Sequence, residues 1–193
     1  MSESSSVRIL SLVDRFRAGD LKAADELLRA VNTRLEELSR RMLAGFPSVQ
    51  RHAEWGDILQ GASIRLLNSL RELRPATARD FFNLASMQIR RELLDLSRHV
   101  SIRKLSTQPE DDSLEPLDPA PASDDLDLWS RFHEQVEKLP VEEREAIGLV
   151  FYHGKTRAEA AEILSVSERT VYRWWQSACE RLKERLGDDL LTS

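Results

Sequence analysis

Residues 154–186 read GKTRAEAAEILSVSERTVYRWWQSACERLKERL, and this stretch decides the fold. Thr156 with Glu159 three positions later forms a Thr-x-x-Glu capping box, a reciprocal pairing that satisfies two orphan N–H groups and opens a short helix to Leu164. Ser165, Val166 and Ser167 make a turn, and Ser167 is a ready N-cap for a long helix from Glu168 to about Leu186. A short capped helix, a three-residue turn and a longer helix together match a helix-turn-helix. Ala160, Ile163 or Leu164, Val166, Val171, Trp174 or Trp175, Ala178 and Leu182 close a small core at helical spacing, so the apolar residues need no functional explanation. Ser167, Arg169, Thr170, Tyr172, Arg173 and Gln176 lie instead at the start and on the outer face of the last helix. That is where a recognition helix presents side chains to base edges and phosphates, and the bland alternative is an ordinary solvated face.

Upstream of this unit, residues 129–139 are amphipathic and stop at Pro140, and residues 142–152 form a further helix ended at Gly154. Residues 107–127 hold four prolines and eight acidic residues with no base, a composition that cannot bury a core. They predict a flexible acidic linker over 107–128, with one small domain at 1–106 and another at 129–193. In the first domain, Ala23, Ala24, Leu27, Leu28, Val31, Leu35 and Leu38 mark a helix over about 21–43, with Asp20 as its N-cap after Gly19. Gly45, Phe46 and Pro47 break it. Ile58, Leu59, Ala62, Leu66, Leu67 and Leu70 mark a second helix that Pro75 ends, and residues 79–99 make a third through Phe82, Leu84 or Ala85, Ile89, Leu93 and Leu96. A shorter helix over 9–17 leads the bundle. The expected fold is all-α, two small helical domains on a tether.

Composition narrows the function. The chain is 41% hydrophobic and 32% charged with a net charge of −5, an unpromising total for a nucleic-acid binder until it is divided. Residues 7–106 carry 18 Lys/Arg against 12 Asp/Glu, residues 107–136 carry 1 against 9, and residues 137–193 carry 9 against 11. The acidity therefore sits in the middle, and the first domain is basic enough to meet phosphates. No apolar run is long enough to span a bilayer and the start lacks a secretory pattern, so a cytoplasmic protein without membrane insertion is expected. Cys179 has no partner for an internal disulfide and reads as a small buried residue. His52, His99, His133 and His153 are widely spaced, without a zinc-binding, phosphate-loop or nucleophile-elbow motif. No catalytic residue, metal or cofactor is expected, and the chain does not read as an enzyme.

Leu139-Pro140 with Glu143-Arg144-Glu145 and Ala146, followed by the helix-turn-helix quoted above, resembles region four of bacterial sigma factors, the domain that reads the minus-thirty-five element. WGDILQGASIRLLNSL (55–70) resembles region two, and RDFFNLASMQIRRELLDLSRH (79–99) resembles the helix that meets the minus-ten element. Both halves match one family in order: the small two-domain extracytoplasmic-function (ECF) sigma factors. The resemblance implies core RNA polymerase as a partner, with Asp57, Ile58, Leu59 and Gln60 docking on the clamp helices of the beta-prime subunit. It implies promoter DNA as the second partner, read at minus-ten by Arg79, Phe81, Phe82, Arg90, Arg91 and Arg98 and at minus-thirty-five by the recognition helix. An anti-sigma factor is a further candidate partner. Gly61, Leu84, Arg91, Trp174 and Trp175 depart from the family's common residues, which shifts the expected phosphate contacts of the recognition helix toward Arg173. The competing reading from the residues alone is a helix-turn-helix regulator that acts without binding polymerase, and a pure interaction protein is the third.

Overall fold

A computed structural model of the chain describes residues 5–42, 55–106 and 123–187. All regular structure among the described residues is helical. The first half contributes α1 (Ser5–Arg17), α2 (Leu21–Met42), α3 (Trp55–Leu73) and α4 (Ala78–Ser106). Between α1 and α2 the chain turns at Gly19, whose φ of +92° is in the left-handed region open to glycine. Asp20 then caps α2 by accepting from the Lys22 N–H at 2.9 Å, while Arg15 donates to its other oxygen at 2.6 and 2.9 Å. The start of α4 is fixed in a similar way: Asp80 N–H donates to the Thr77 hydroxyl at 3.1 Å and Thr77 N–H returns a bond to the Asp80 carboxylate at 3.0 Å. Leu12, Val13, Leu27, Leu35, Leu66, Leu70, Phe81, Ile89 and Leu93 fill the space between these helices and are all fully buried.

The second half contributes α5 (Ser123–Glu137), α6 (Val141–Ile147), α7 (Arg157–Leu164) and α8 (Glu168–Leu186). Three boundaries differ from the sequence reading. The third helix continues past residue 99 to Ser106, and α5 begins at Ser123, so residues 123–128 belong to a helix and not to the linker. Three of those six residues are aspartates, which suit a helix N-terminus as well as they suit a tether. The remainder of the expected linker, 107–122, lies outside the described residues. The helix expected over 142–152 is α-helical only to Ile147 and widens into one π-turn, Gly148–Tyr152.

That π-turn is where the two halves meet. They share one continuous core instead of standing apart. Gly148 packs on α4 so closely that a Cβ there would stand 2.8 Å from the Ser86 hydroxyl and would require Ser86 to turn aside. The carbonyls of Phe151 and Tyr152, which the end of the turn leaves unpaired, accept from the Arg34 guanidinium of α2 at 3.1 Å each. His153 donates its ring N–H to the Phe82 carbonyl at 3.2 Å and packs edge-on against the Phe82 ring. Tyr152, wholly buried, bonds His133 Nδ1 of α5 at 2.8 Å. Lower on α4, Ser130 donates to Ser97 at 2.7 Å.

Burial holds both seam histidines neutral, with His133 and His153 each pushed down to about 3. An unfolded histidine protonates near 6.5, so below that pH the unfolded chain binds protons that the folded chain refuses. The contribution is therefore complete above pH 6.5 and is lost as pH falls toward 3. From pH 6.5 to 5 the two histidines together should cost roughly 3 kcal/mol of stability. Urea midpoints measured across that range should fall steeply, and His153→Gln, which retains a donor for the Phe82 carbonyl, should lessen the slope. A midpoint that stays level from pH 6.5 to 5 would mean that the two rings are solvated.

Candidate nucleic-acid interface

The helix-turn-helix assembles from local chemistry. Thr156 and Glu159 form the expected capping box, with the Glu159 N–H donating to the Thr156 hydroxyl at 3.2 Å and the Thr156 N–H to the Glu159 carboxylate at 2.9 Å. Ser165 takes the left-handed conformation, φ +56°, and lets Val166 N–H reach back to the Ala161 carbonyl at 3.0 Å, which stops α7 and reverses the chain. Ser167 accepts from the Thr170 N–H at 3.2 Å and starts α8. Val171, Ala178 and Leu182 point inward, and buried Glu143 of α6 accepts from Ser177 at 2.8 Å and Arg181 at 3.1 Å. The orientation of α8 is therefore set by a carboxylate on a neighbouring helix as well as by its apolar stripe.

This leaves Arg169, Thr170, Tyr172, Arg173 and Gln176 together along one shallow surface groove. Tyr172 and Gln176 are joined by a 2.6 Å bond from the Gln176 amide to the phenol oxygen. The Arg157 guanidinium lies 5.1 Å from the Tyr172 ring centre, a cation–π contact that adds a cation to the groove from the first turn of α7. Sequence reasoning missed Arg157, whose position immediately after the Thr156 cap was the available signal. Ser167 spends its hydroxyl on capping. Trp174 and Trp175 are half-buried against the core and belong to packing. Cys179 is half-buried as well, and burial pushes its thiol up, away from the reactive thiolate.

Helix α4 carries the other six expected DNA contacts, and the structure divides them. Arg91 and Arg98 are exposed on one face, Arg98 beside Asp95 at 3.4 Å. Phe81 and Phe82 are 1% and 3% exposed, so neither ring presents a face to a base, contrary to the expectation of stacking platforms. Their spacing from Ala85, Ile89 and Leu93 places them on or beside the bundle-facing stripe, which outweighs their nearness to the helix start. Arg90, expected to meet the minus-ten strand, is 5% exposed and paired with Glu137 of α5 beside Tyr152. Arg79 is half-exposed but engaged: it donates two bonds to Glu145 of α6, at 2.7 and 2.9 Å, while Asn83 donates a third to the same carboxylate at 2.7 Å.

Asp57, Ile58, Leu59 and Gln60 fall within α3, and their side chains lie outside the described residues. One turn on, the Arg65 guanidinium crosses Gly61, 3.4 Å from where a Cβ would stand, to pair with buried Glu92 of α4. Among the described residues, no group of three or more His, Cys, Asp or Glu side chains is arranged for a metal, and no helix is long and apolar enough to cross a membrane.

Thr156→Ala and Ser167→Ala should each lower stability by about 1 kcal/mol through loss of a cap. Urea unfolding at constant m would show this as a lower midpoint. Unchanged midpoints for both would mean that the two caps are not formed in solution.

The sequence matches the family model for ECF sigma factors over residues 6–188, a span that takes in both helical halves and the segment between them. No curated protein matches it significantly. The match agrees with described residues whose regular structure is helical throughout, whose last two helices form a capped helix-turn-helix and whose α4 carries a line of arginines. The chain belongs to the ECF sigma factor family.

Proposed function

We propose that this chain binds core RNA polymerase in the cytoplasm and directs it to a defined set of promoters, reading the minus-thirty-five duplex with α8 and engaging the melted minus-ten strand with α4. The observation that carries the reading is the groove on α8, where Arg169, Thr170, Tyr172, Arg173 and Gln176 converge on one exposed face of a capped recognition helix. Arg173 and Arg169 supply charge-assisted donors, Tyr172 and Gln176 supply a coupled donor–acceptor pair, and Arg157 adds a phosphate-seeking cation at the groove's rim.

At minus-ten the chemistry is different, because a base must leave the stack before it is read, at a cost of a few kcal/mol. Cations tracking the backbone help to offset that cost. Arg91 and Arg98 stand ready on the open face of α4, and Arg79 and Arg90 follow when their carboxylate partners leave. Phe81 and Phe82 serve from beneath, holding α4 on the bundle. Asp57, Ile58, Leu59 and Gln60 on α3 are assigned to the beta-prime clamp helices, by analogy with the family's motif. An anti-sigma factor would be one means of regulation.

The test is co-elution of the purified chain with core polymerase, followed by mapping of transcript starts on genomic DNA. Association and starts that share two spaced motifs are expected. No association with core enzyme would favour a helix-turn-helix regulator that works alone. Arg173→Ala should cost about 1–3 kcal/mol of affinity for the minus-thirty-five duplex at fixed salt. Asp57→Ala or Gln60→Ala should weaken core binding without altering affinity for that duplex. Unchanged duplex affinity in Arg173→Ala would remove α8 from the assignment.

A further inference from the structure

Tyr172 projects from the outer face of α8 with 41% of its surface exposed, where a phenol ordinarily turns freely. Here it is held at both ends. The Gln176 amide, one turn on, donates an N–H to the phenol oxygen at 2.6 Å. The Arg157 guanidinium of α7 lies over the ring, its carbon 5.1 Å from the ring centre. Arg157 reaches the ring because α7 packs on α8 and the capping box of Thr156 and Glu159 fixes the first turn of α7. The other side chains of the groove are suited to different work. The Thr170 hydroxyl lies 2.9 Å from the Ser167 hydroxyl and stays with the cap, whereas Arg169 and Arg173 are exposed cations that suit phosphates or the two acceptors of guanine. Gln176 brings to the groove an amide, with donor and acceptor fixed side by side.

We propose that Arg157 and Tyr172 are positioning residues for Gln176, and that Gln176, held in this way, reads an adenine of the minus-thirty-five duplex. The proposal rests on the reading of α8 as the recognition helix. Its basis is a count of hydrogen bonds. An amide offers two N–H donors and one carbonyl oxygen. One N–H is spent on the phenol, which leaves an N–H and the oxygen side by side, the pair that matches N7 and the N6 amino group of adenine in the major groove. Guanine presents two acceptors there, so the amide oxygen would face an acceptor with no proton between them. Cytosine presents a donor alone and thymine an acceptor beside a methyl group, so each uses half of the pair. Without the phenol the amide is free to turn about its last bond, and adenine then meets the correct end only part of the time. The direction of the phenol depends in turn on the cation over its ring. A guanidinium engaged through a ring keeps its N–H donors, so Arg157 still serves as a cation for the DNA backbone.

The test is transcription by core polymerase reconstituted with each full-length variant, on a mapped promoter that carries each of the four base pairs in turn at every minus-thirty-five position. The parent chain should prefer adenine at one position, and Gln176→Ala should cut that preference about tenfold while leaving the other positions as they were. Tyr172→Phe keeps the ring and loses the oxygen, and it should weaken the same preference several-fold. Arg157→Ala should do likewise, whereas Arg157→Lys, which returns a cation to the ring, should retain the preference. In a Tyr172→Ala chain, adding Arg157→Ala should change output from all templates alike and leave the base preference untouched, because Arg157 acts on it through the ring. A merely structural role would lower output from every template together. A base other than adenine at the position that Gln176→Ala affects, or full selectivity in Tyr172→Phe and Arg157→Ala, would overturn the proposal. Failure of the underlying reading looks different: the parent would then show no base preference at minus-thirty-five, and Arg173→Ala would leave output unchanged.

Discussion

Helix α4 is shared, and the rest of the molecule is arranged around that sharing. One of its faces, running through Phe81, Ala85, Ile89 and Leu96, is buried in the N-terminal bundle. A second face, from Arg79 to Ser97, meets α5 and the π-turn, and the third, with Met87, Arg91 and Arg98, is left to solvent. A helix with three commitments has little freedom in its sequence. The second face accordingly uses small or forked polar residues, Ser86, Asn83 and two arginines, in place of the aliphatic stripe of an ordinary interior helix. Gly148 is the complementary concession on the other side of the seam, since a Cβ there would crowd the Ser86 hydroxyl.

Local signals were legible in the sequence, whereas the seam was not. Caps at Thr156 and Ser167, the turn at Ser165 and the limits of α8 follow from hydrogen-bonding chemistry within a few residues, and the structure has them where spacing puts them. Glu145, Glu137, Arg79 and Arg90 look, residue by residue, like solvated helix faces. Only their meeting across 47 or 66 positions of chain gives them partners, and no periodicity encodes that distance. The same reason explains the phenylalanines. Nearness to the start of α4 suggested stacking on bases, but a ring's role is set by which face it occupies, and the shared helix has two buried faces. The widening at Gly148–Tyr152 was invisible for another reason: a π-turn is held by its tertiary partners, here Arg34 on its last carbonyls.

The two surfaces proposed to meet DNA differ in how their side chains are engaged. On α8 the groove is open, with Tyr172, Gln176 and Arg157 already linked, so little ordering remains to be paid on binding. On α4 half of the cations are paired across the seam. At the centre of the seam Tyr152 and His133 are buried beside Arg90, itself buried and paired with Glu137 at the edge.

The most direct measurement is the distance between the halves in the free chain. Spin labels on exposed Glu72 and Lys138, in a Cys179→Ala background, sit on the two sides of the seam. Pulsed electron resonance should give one narrow, short distance for the free chain. A broad distribution, or a long distance, in the free chain would contradict a shared α4.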